Sequence, residues 1–239
     1  MQGLRVSAVA AGANHTLALS EAGDVFSFGA GQDGRLGHGD VVDQHTPRLI
    51  VALHGVRVCA VAAGSCHSLV VSAAGRLYSF GYDVDGRLGH GDRANQLAPR
   101  LVAALQAVRV SAVVAGINHS LALSEGNVYS LGRSDIGQLG HGNTAVNRTP
   151  LMIAGLQDVH VRSVAAGDFT SLAVTIDGDA DGWGRGLGND RVPHPVLGLL
   201  LTEDQLVPCM YPGLCMVRGQ CKIENCVSIR ENAEAQYVP

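Results

Sequence analysis

The sequence predicts an all-β fold assembled from β-propeller blades, each a sheet of four antiparallel strands. Three observations carry that prediction. The chain repeats itself, with His15, His67 and His119 each closing an Ala-Gly-x-x-His segment 52 residues after the last. Within each period, short apolar runs alternate with small or polar residues around glycine-containing turns, which is strand patterning and not the 3.6-residue pattern of a helix. A repeat of roughly 40–50 residues holding about four such strands is the sequence signature of a propeller blade.

The first unit sets the template. VSAVAAG (6–12) reads as a strand of small residues ending at Gly12, where we expect a backbone angle closed to other residues. HTLALS follows, with Leu17 and Leu19 alternating with small or polar positions, and Glu-Ala-Gly then turns the chain into Val25, Phe26 and Phe28. That is a hairpin. Next comes GRLGHGD (34–40), present letter for letter again at 86–92 and as GQLGHGN at 137–143. A last strand, TPRLIVAL, opens on Pro47, a residue tolerated at a strand's first position.

The copies keep this order. AGANH (11–15), AGSCH (63–67), AGINH (115–119) and AGDFT (166–170) are in phase, as are Pro47, Pro99, Pro150 and Pro208. Four units result, at about 4–55, 56–107, 108–158 and 159–214, and residues 215–239 form a degenerate start of a fifth and a tail. The fourth unit departs most. Its loop at 185–196 is longer than its counterparts, and Ala180-Asp181 replaces Val25-Phe26. A buried, unpaired carboxylate is costly, so this strand is expected to fray or to face solvent.

Composition narrows the function classes. A net charge of −4 argues against strong binding to nucleic acid or to an anionic membrane surface. The sequence has no run of 18 apolar residues, the length a spanning helix requires. The apolar start imitates a leader, but the same stretch recurs inside the chain as VRVCAVAAGSCH, so it is read as structure. The expected compartment is the cytoplasm or nucleus.

The recurring histidines are the candidate chemistry. His38, His90 and His141, preceded by Gly37, Gly89 and Gly140, read as a tight turn that each blade repeats, with the histidine satisfying nearby polar groups. The competing reading, a functional ring, fails because equivalent residues on successive blades stand far apart. His15, His67 and His119 read as buried imidazoles that tie adjacent strands. A zinc ring is the alternative, but its ligands must meet about 2 Å from one centre, and Thr170 replaces the histidine in the fourth unit. Cys59 and Cys66 read as small fillers within strands. Cys209, Cys215, Cys221 and Cys226 lack a Cys-x-x-Cys knuckle. No catalytic, cofactor or metal residue is expected.

GANHTLAL, VFSFG, GRLGHGD and TPRLI together resemble the regulator of chromosome condensation repeat family, over about nine-tenths of the chain. The resemblance implies seven-bladed propellers, so four repeats make an incomplete or open arc whose free blade edges invite self-association. It also implies a function. We expect a non-enzymatic scaffold with a protein partner, and the alternative is guanine-nucleotide exchange on a small Ran-like GTPase. Against the alternative, the chain has no basic arm and its insertion carries no recognisable wedge. Light sensing within the family implies a tryptophan cluster, and Trp183 is the chain's single tryptophan. The insertion supplies the candidate partner-binding residues Arg185, Asp190, Arg191 and His194.

Overall fold

A computed structural model describes residues 5–185 and 205–210. Among these residues, sixteen strands form four sheets, each laid out in chain order and antiparallel throughout. Blade 1 comprises β1 (Val6–Ala11), β2 (His15–Ser20), β3 (Val25–Gly29) and β4 (Gln44–Leu49). Blade 2 comprises β5 (Val58–Ala63), β6 (His67–Ser72), β7 (Leu77–Gly81) and β8 (Gln96–Leu101). Blade 3 comprises β9 (Ala112–Ala115), β10 (His119–Ser124), β11 (Asn127–Gly132) and β12 (Asn147–Met152). Blade 4 comprises β13 (Val161–Ala166), β14 (Thr170–Thr175), β15 (Ala180–Gly184) and β16 (Gln205–Met210).

The core lies between the blades. A sheet with apolar residues on both faces must cover each with a neighbour. Among the described residues three apolar clusters do this, one per blade junction. Leu17, Leu19 and Val25 of blade 1 meet Val70, Tyr78 and Phe80 of blade 2. Leu69, Val71 and Leu77 meet Val113, Ala122 and Tyr129. Leu121, Leu123 and Val128 meet Val164, Ala173 and Trp183. After β4, β8 and β12 a short 3-10 turn (Val51–Leu53, Ala103–Leu105, Ala154–Leu156) drops its final leucine into the same junction.

The arc is an incomplete propeller. Strand β1 is exposed along nearly its whole length, with Val9 69% accessible. At the other end Leu172 is only half-buried, although its counterparts Leu17, Leu69 and Leu121 are fully enclosed.

Several local expectations need correcting. Gly12 does not adopt a positive φ. What its position requires is space, because a Cβ there would strike the Gly64 carbonyl oxygen and the His15 ring. Pro47 stands inside β4, not at its start, at an irregularity where Ser27 pairs with Arg48 and Gly29 with Gln44. An edge strand and a bulge both spare the missing N–H. Cys66 lies in the turn before β6, and Cys59 is exposed. Strand β15 does not fray: it pairs with β14 and with β16, and Asp181 stays half-buried in it. Burial first, and then Asp179, raises the Asp181 carboxyl above its ordinary range.

The junction geometry makes a direct prediction. A methyl group at Gly64 would sit 2.5 Å from the Gly116 carbonyl oxygen and against the His67 ring, whereas at Gly167 the nearest atom is 3.9 Å away. Gly64→Ala should therefore cost about 1–3 kcal/mol, typical of overpacking, and Gly167→Ala close to nothing. Urea denaturation of both variants measures the difference.

Candidate functional site

The recurring histidines converge on one device, built six times. His15 is buried at the start of β2, and its Nε2 lies 2.8 Å from Ser68 Oγ on blade 2. Ser68 Oγ in turn donates to the Arg35 carbonyl at 2.7 Å, which returns the chain of hydrogen bonds to the blade 1 loop. The second junction repeats this with His67, Ser120 and the Arg87 carbonyl, at 2.9 Å each. The third uses His119, Ser171 and the Gln138 carbonyl, at 2.9 and 2.8 Å. The imidazole therefore ties adjacent blades, not adjacent strands of one blade.

The loop histidines make a parallel arrangement within each blade. His38 Nε2 meets Ser27 Oγ at 3.0 Å, and Ser27 donates to the Leu36 carbonyl at 2.6 Å. His90 with Ser79 and Leu88, and His141 with Ser130 and Leu139, repeat the geometry. The expected turn is present, with Gly37, Gly89 and Gly140 at φ of 75°, 82° and 76°. The turn also reaches the next blade. A Cβ on Gly37 would meet the Phe80 ring at 2.8 Å, one on Gly89 would meet Leu131 at 2.7 Å, and one on Gly140 the Trp183 indole at 2.9 Å. Trp183 adds a hydrogen bond from Nε1 to the Gln138 carbonyl at 3.0 Å.

A serine has one hydroxyl proton, and here it goes to the loop carbonyl. The histidine must then carry its own proton on Nε2 and donate to the serine. Nucleophile activation needs the opposite polarity, with the imidazole accepting the hydroxyl proton. These pairs are fasteners. Among the described residues, no group of three or more His, Cys, Asp or Glu side chains stands close enough together to hold a metal ion.

Two residues that sequence reasoning passed over complete the junctions. Arg35 is 3% exposed and bridges Asp33 on its own loop to the Ser65 carbonyl of blade 2. Arg87 does the same between Asp85 and the Ile117 carbonyl. The signal was present, since these arginines and the serines of His-Ser-Leu and Tyr-Ser-Phe recur at the repeat period. In the third unit Gln138 takes the arginine's place, and Arg133 pairs with Asp135 instead.

Of the insertion residues, Arg185 is exposed, with its guanidinium 5.6 Å from the centre of the Phe169 ring. Asp190, Arg191 and His194 lie outside the described residues. Near the arc's axis, the four Ala-Gly turns line a shallow concavity of about 360 Å³ that includes Ala13, Ser65, Ile117 and Asp168.

Comparison with known proteins places this geometry. Residues 1–212 match the sequence profile described as RCC1-like domain. The chain is 40% identical over 207 residues to the ultraviolet-B receptor UVR8 of Arabidopsis thaliana, covering 85% of this chain and 46% of the receptor. It is 42% identical over 204 residues to the E3 ubiquitin-protein ligase HERC2 of Homo sapiens, covering 80% of this chain and 4% of the ligase. The chain thus spans less than half the length of either relative. Among solved structures, human WBSCR16 superposes with a TM-score of 0.77 at 28% identity, over 87% of this chain and 53% of that one. Prp20p of Saccharomyces cerevisiae superposes at 0.73 with 29% identity, over 88% and 51%.

The histidines make acid stability a test of the site. Burial, reinforced by Arg35, lowers His15 from 6.5 to about 4. Burial, together with Arg87, lowers His119 to about 4 and His67 well below its ordinary value. Desolvation lowers His38, His90 and His141 as well. A histidine whose folded pKa is depressed is protonated first in the unfolded chain, so its stabilising contribution is full above about pH 6.5 and is lost as pH falls towards 4. Asp83, raised by burial to about 6, and Asp181, also raised by burial, run the other way and offset part of that loss. Each fully buried histidine then costs up to about 1.4 kcal/mol per pH unit in that window. Thermal melts from pH 8 to pH 4.5 should hold level above pH 6.5 and fall steeply below it. A flat profile would contradict the arrangement.

Proposed function

The chain belongs to the RCC1-like domain family, and on that premise we propose that it is a non-enzymatic scaffold that binds a protein partner through the loops at one end of its blades. One observation carries the reading. The four Ala-Gly turns hold the same place on a constant frame, yet the residues they present differ: Ala13-Asn14, Ser65-Cys66, Ile117-Asn118 and Asp168-Phe169. A rigid scaffold with divergent loops is where recognition resides in repeat folds. The insertion residues Arg185, Asp190, Arg191 and His194 break the repeat in sequence and are the best additional contact. The imidazoles are committed to structural hydrogen bonds, which leaves the non-enzymatic reading as the simpler one. Within the described residues no helix is long and apolar enough to cross a membrane, and the compartment we propose is cytoplasm or nucleus.

A second reading is favoured by one comparison. Prp20p binds Gsp1p and histones, so guanine-nucleotide exchange on a small Ran-like GTPase is the alternative. The two readings part experimentally. Affinity capture with the purified chain should retain a protein partner, and Arg185→Ala with Arg191→Ala should weaken that capture without altering the melting temperature. Ran loaded with a fluorescent nucleotide should release it no faster when the chain is added. Accelerated release would favour the alternative.

A further inference from the structure

Among the described residues Asp83 is the one carboxylate that is completely enclosed. It sits in the loop after β7, where blade 1 has Gly31 and blade 3 has Ser134. Its backbone does what that of Gly31 does: the Asp83 N–H donates to Asn95 Oδ1, as the Gly31 N–H donates to Asp43 Oδ1. The carboxyl is what blade 2 adds. Its Oδ1 accepts the Leu88 amide at 2.9 Å, and its Oδ2 is buried with no hydrogen-bond partner. Such an oxygen is far more costly as part of a carboxylate than as part of a neutral acid.

The same loop holds a donor without a partner. Arg87 is 2% exposed, and its Nε is buried and unpaired. Its other nitrogens are committed, Nη2 to Asp85 at 2.6 Å and Nη1 to the Ile117 carbonyl of blade 3 at 3.0 Å. Ile117 is one of the turn residues that line the concavity, so Arg87 connects the surroundings of Asp83 to that surface. Four elements place charge around Asp83. Arg87 and Asp92 lie on its own loop, Arg100 lies on β8, and Asp33 of the blade 1 loop bonds Asn95 at 3.4 Å. Arg148 of β12, whose Nε is also buried and unpaired, lies against Gly86. Burial raises the Asp83 carboxyl to about 6; Asp92 adds to the rise, and the Leu88 amide, Arg87 and Arg100 oppose it.

We propose that Asp83 is a proton-operated latch on the blade 3 turn at Ile117. As a neutral acid it leaves Arg87 on the Ile117 carbonyl. When the proton passes to solvent, the buried carboxylate draws the guanidinium through its unpaired Nε and loosens that bond. The direction follows from strength, because a charge-assisted hydrogen bond is roughly twice as strong as a neutral one. Blade 1 supplies an internal control. Arg35 Nη1 reaches the Ser65 carbonyl in the same way, at 3.4 Å, but Gly31 provides no acid there. The bearing on partner binding rests on the scaffold reading, under which affinity should change over the same pH interval.

The latch is tested on the free chain by nuclear magnetic resonance, with no partner present, so it and the scaffold reading fail separately. The Asp83 carboxyl carbon should titrate with a midpoint near pH 6. The Asn118 amide, bonded to the Ile117 carbonyl carbon, should shift with the same midpoint, and the Cys66 amide, its counterpart beside Ser65, should not. His67 and His119 titrate well below this range, so the step is not theirs. Asp83→Asn should abolish the Asn118 step. Asp83→Ser, the residue blade 3 carries as Ser134, should do the same and serves if the first variant does not fold. Arg87→Gln, which copies Gln138, should leave Asp83 titrating and the Asn118 amide still. An Asn118 amide with no step near pH 6, or with a step that survives any of these substitutions, overturns the proposal.

Discussion

Everything in this molecule depends on the junction between blades. A four-stranded sheet with leucines on one face and aromatics on the other cannot bury either face alone, and the described apolar core is partitioned into the three junctions. Apolar burial is non-directional and would tolerate sliding or rotation of one blade on the next. The imidazole–hydroxyl–carbonyl relay removes that freedom. It needs a histidine at one strand start, a serine on the neighbouring blade and a loop carbonyl in between, all within ordinary hydrogen-bond length. The loop that provides the carbonyl also provides the glycine that lies against Phe80, so a single segment serves the polar and the apolar parts of the contact. Its near-identity at 34–40, 86–92 and 137–143 follows from having two neighbours to satisfy at once.

Periodicity made much of this legible. The hairpin spanning Leu17, Leu19 and Val25, the number of blades and the burial of His15, His67 and His119 follow from patterns that recur in phase. What periodicity could not supply was the identity of partners across the repeat. A contact from His15 to its own blade and a contact from His15 to the next blade recur with the same period, so the sequence alone does not distinguish them. Gly12 was misread for a related reason: its need for space comes from the Gly64 carbonyl of the next blade, not from its own backbone angle. The carboxylate of Asp181 was expected to make its strand fray or face solvent. Yet β15 keeps its pairing with β14 and β16 while the Asp181 side chain is only half-buried, and that burial raises its carboxyl above the ordinary range.

The candidate binding surface was the least legible part, and the reason is physical. Residues that hold a frame must match their neighbours and so repeat; residues that meet a partner are free to differ, and in a single sequence difference looks the same as drift. The turns at Ala13, Ser65, Ile117 and Asp168 become a surface only once the frame has placed them around one concavity. The fold itself says little about which partner is bound, and the chain covers only part of the relatives it resembles.

The central claim is that neutral histidines, protonated on Nε2, fasten the blades, and nitrogen-15 resonances of the imidazole rings report it most directly. At pH 6, His15, His67 and His119 should each show a protonated Nε2 and a bare Nδ1, and should stay neutral at a pH where an ordinary histidine is already charged. Resonances from these three residues that titrate near pH 6.5, or that place the proton on Nδ1, would contradict the account.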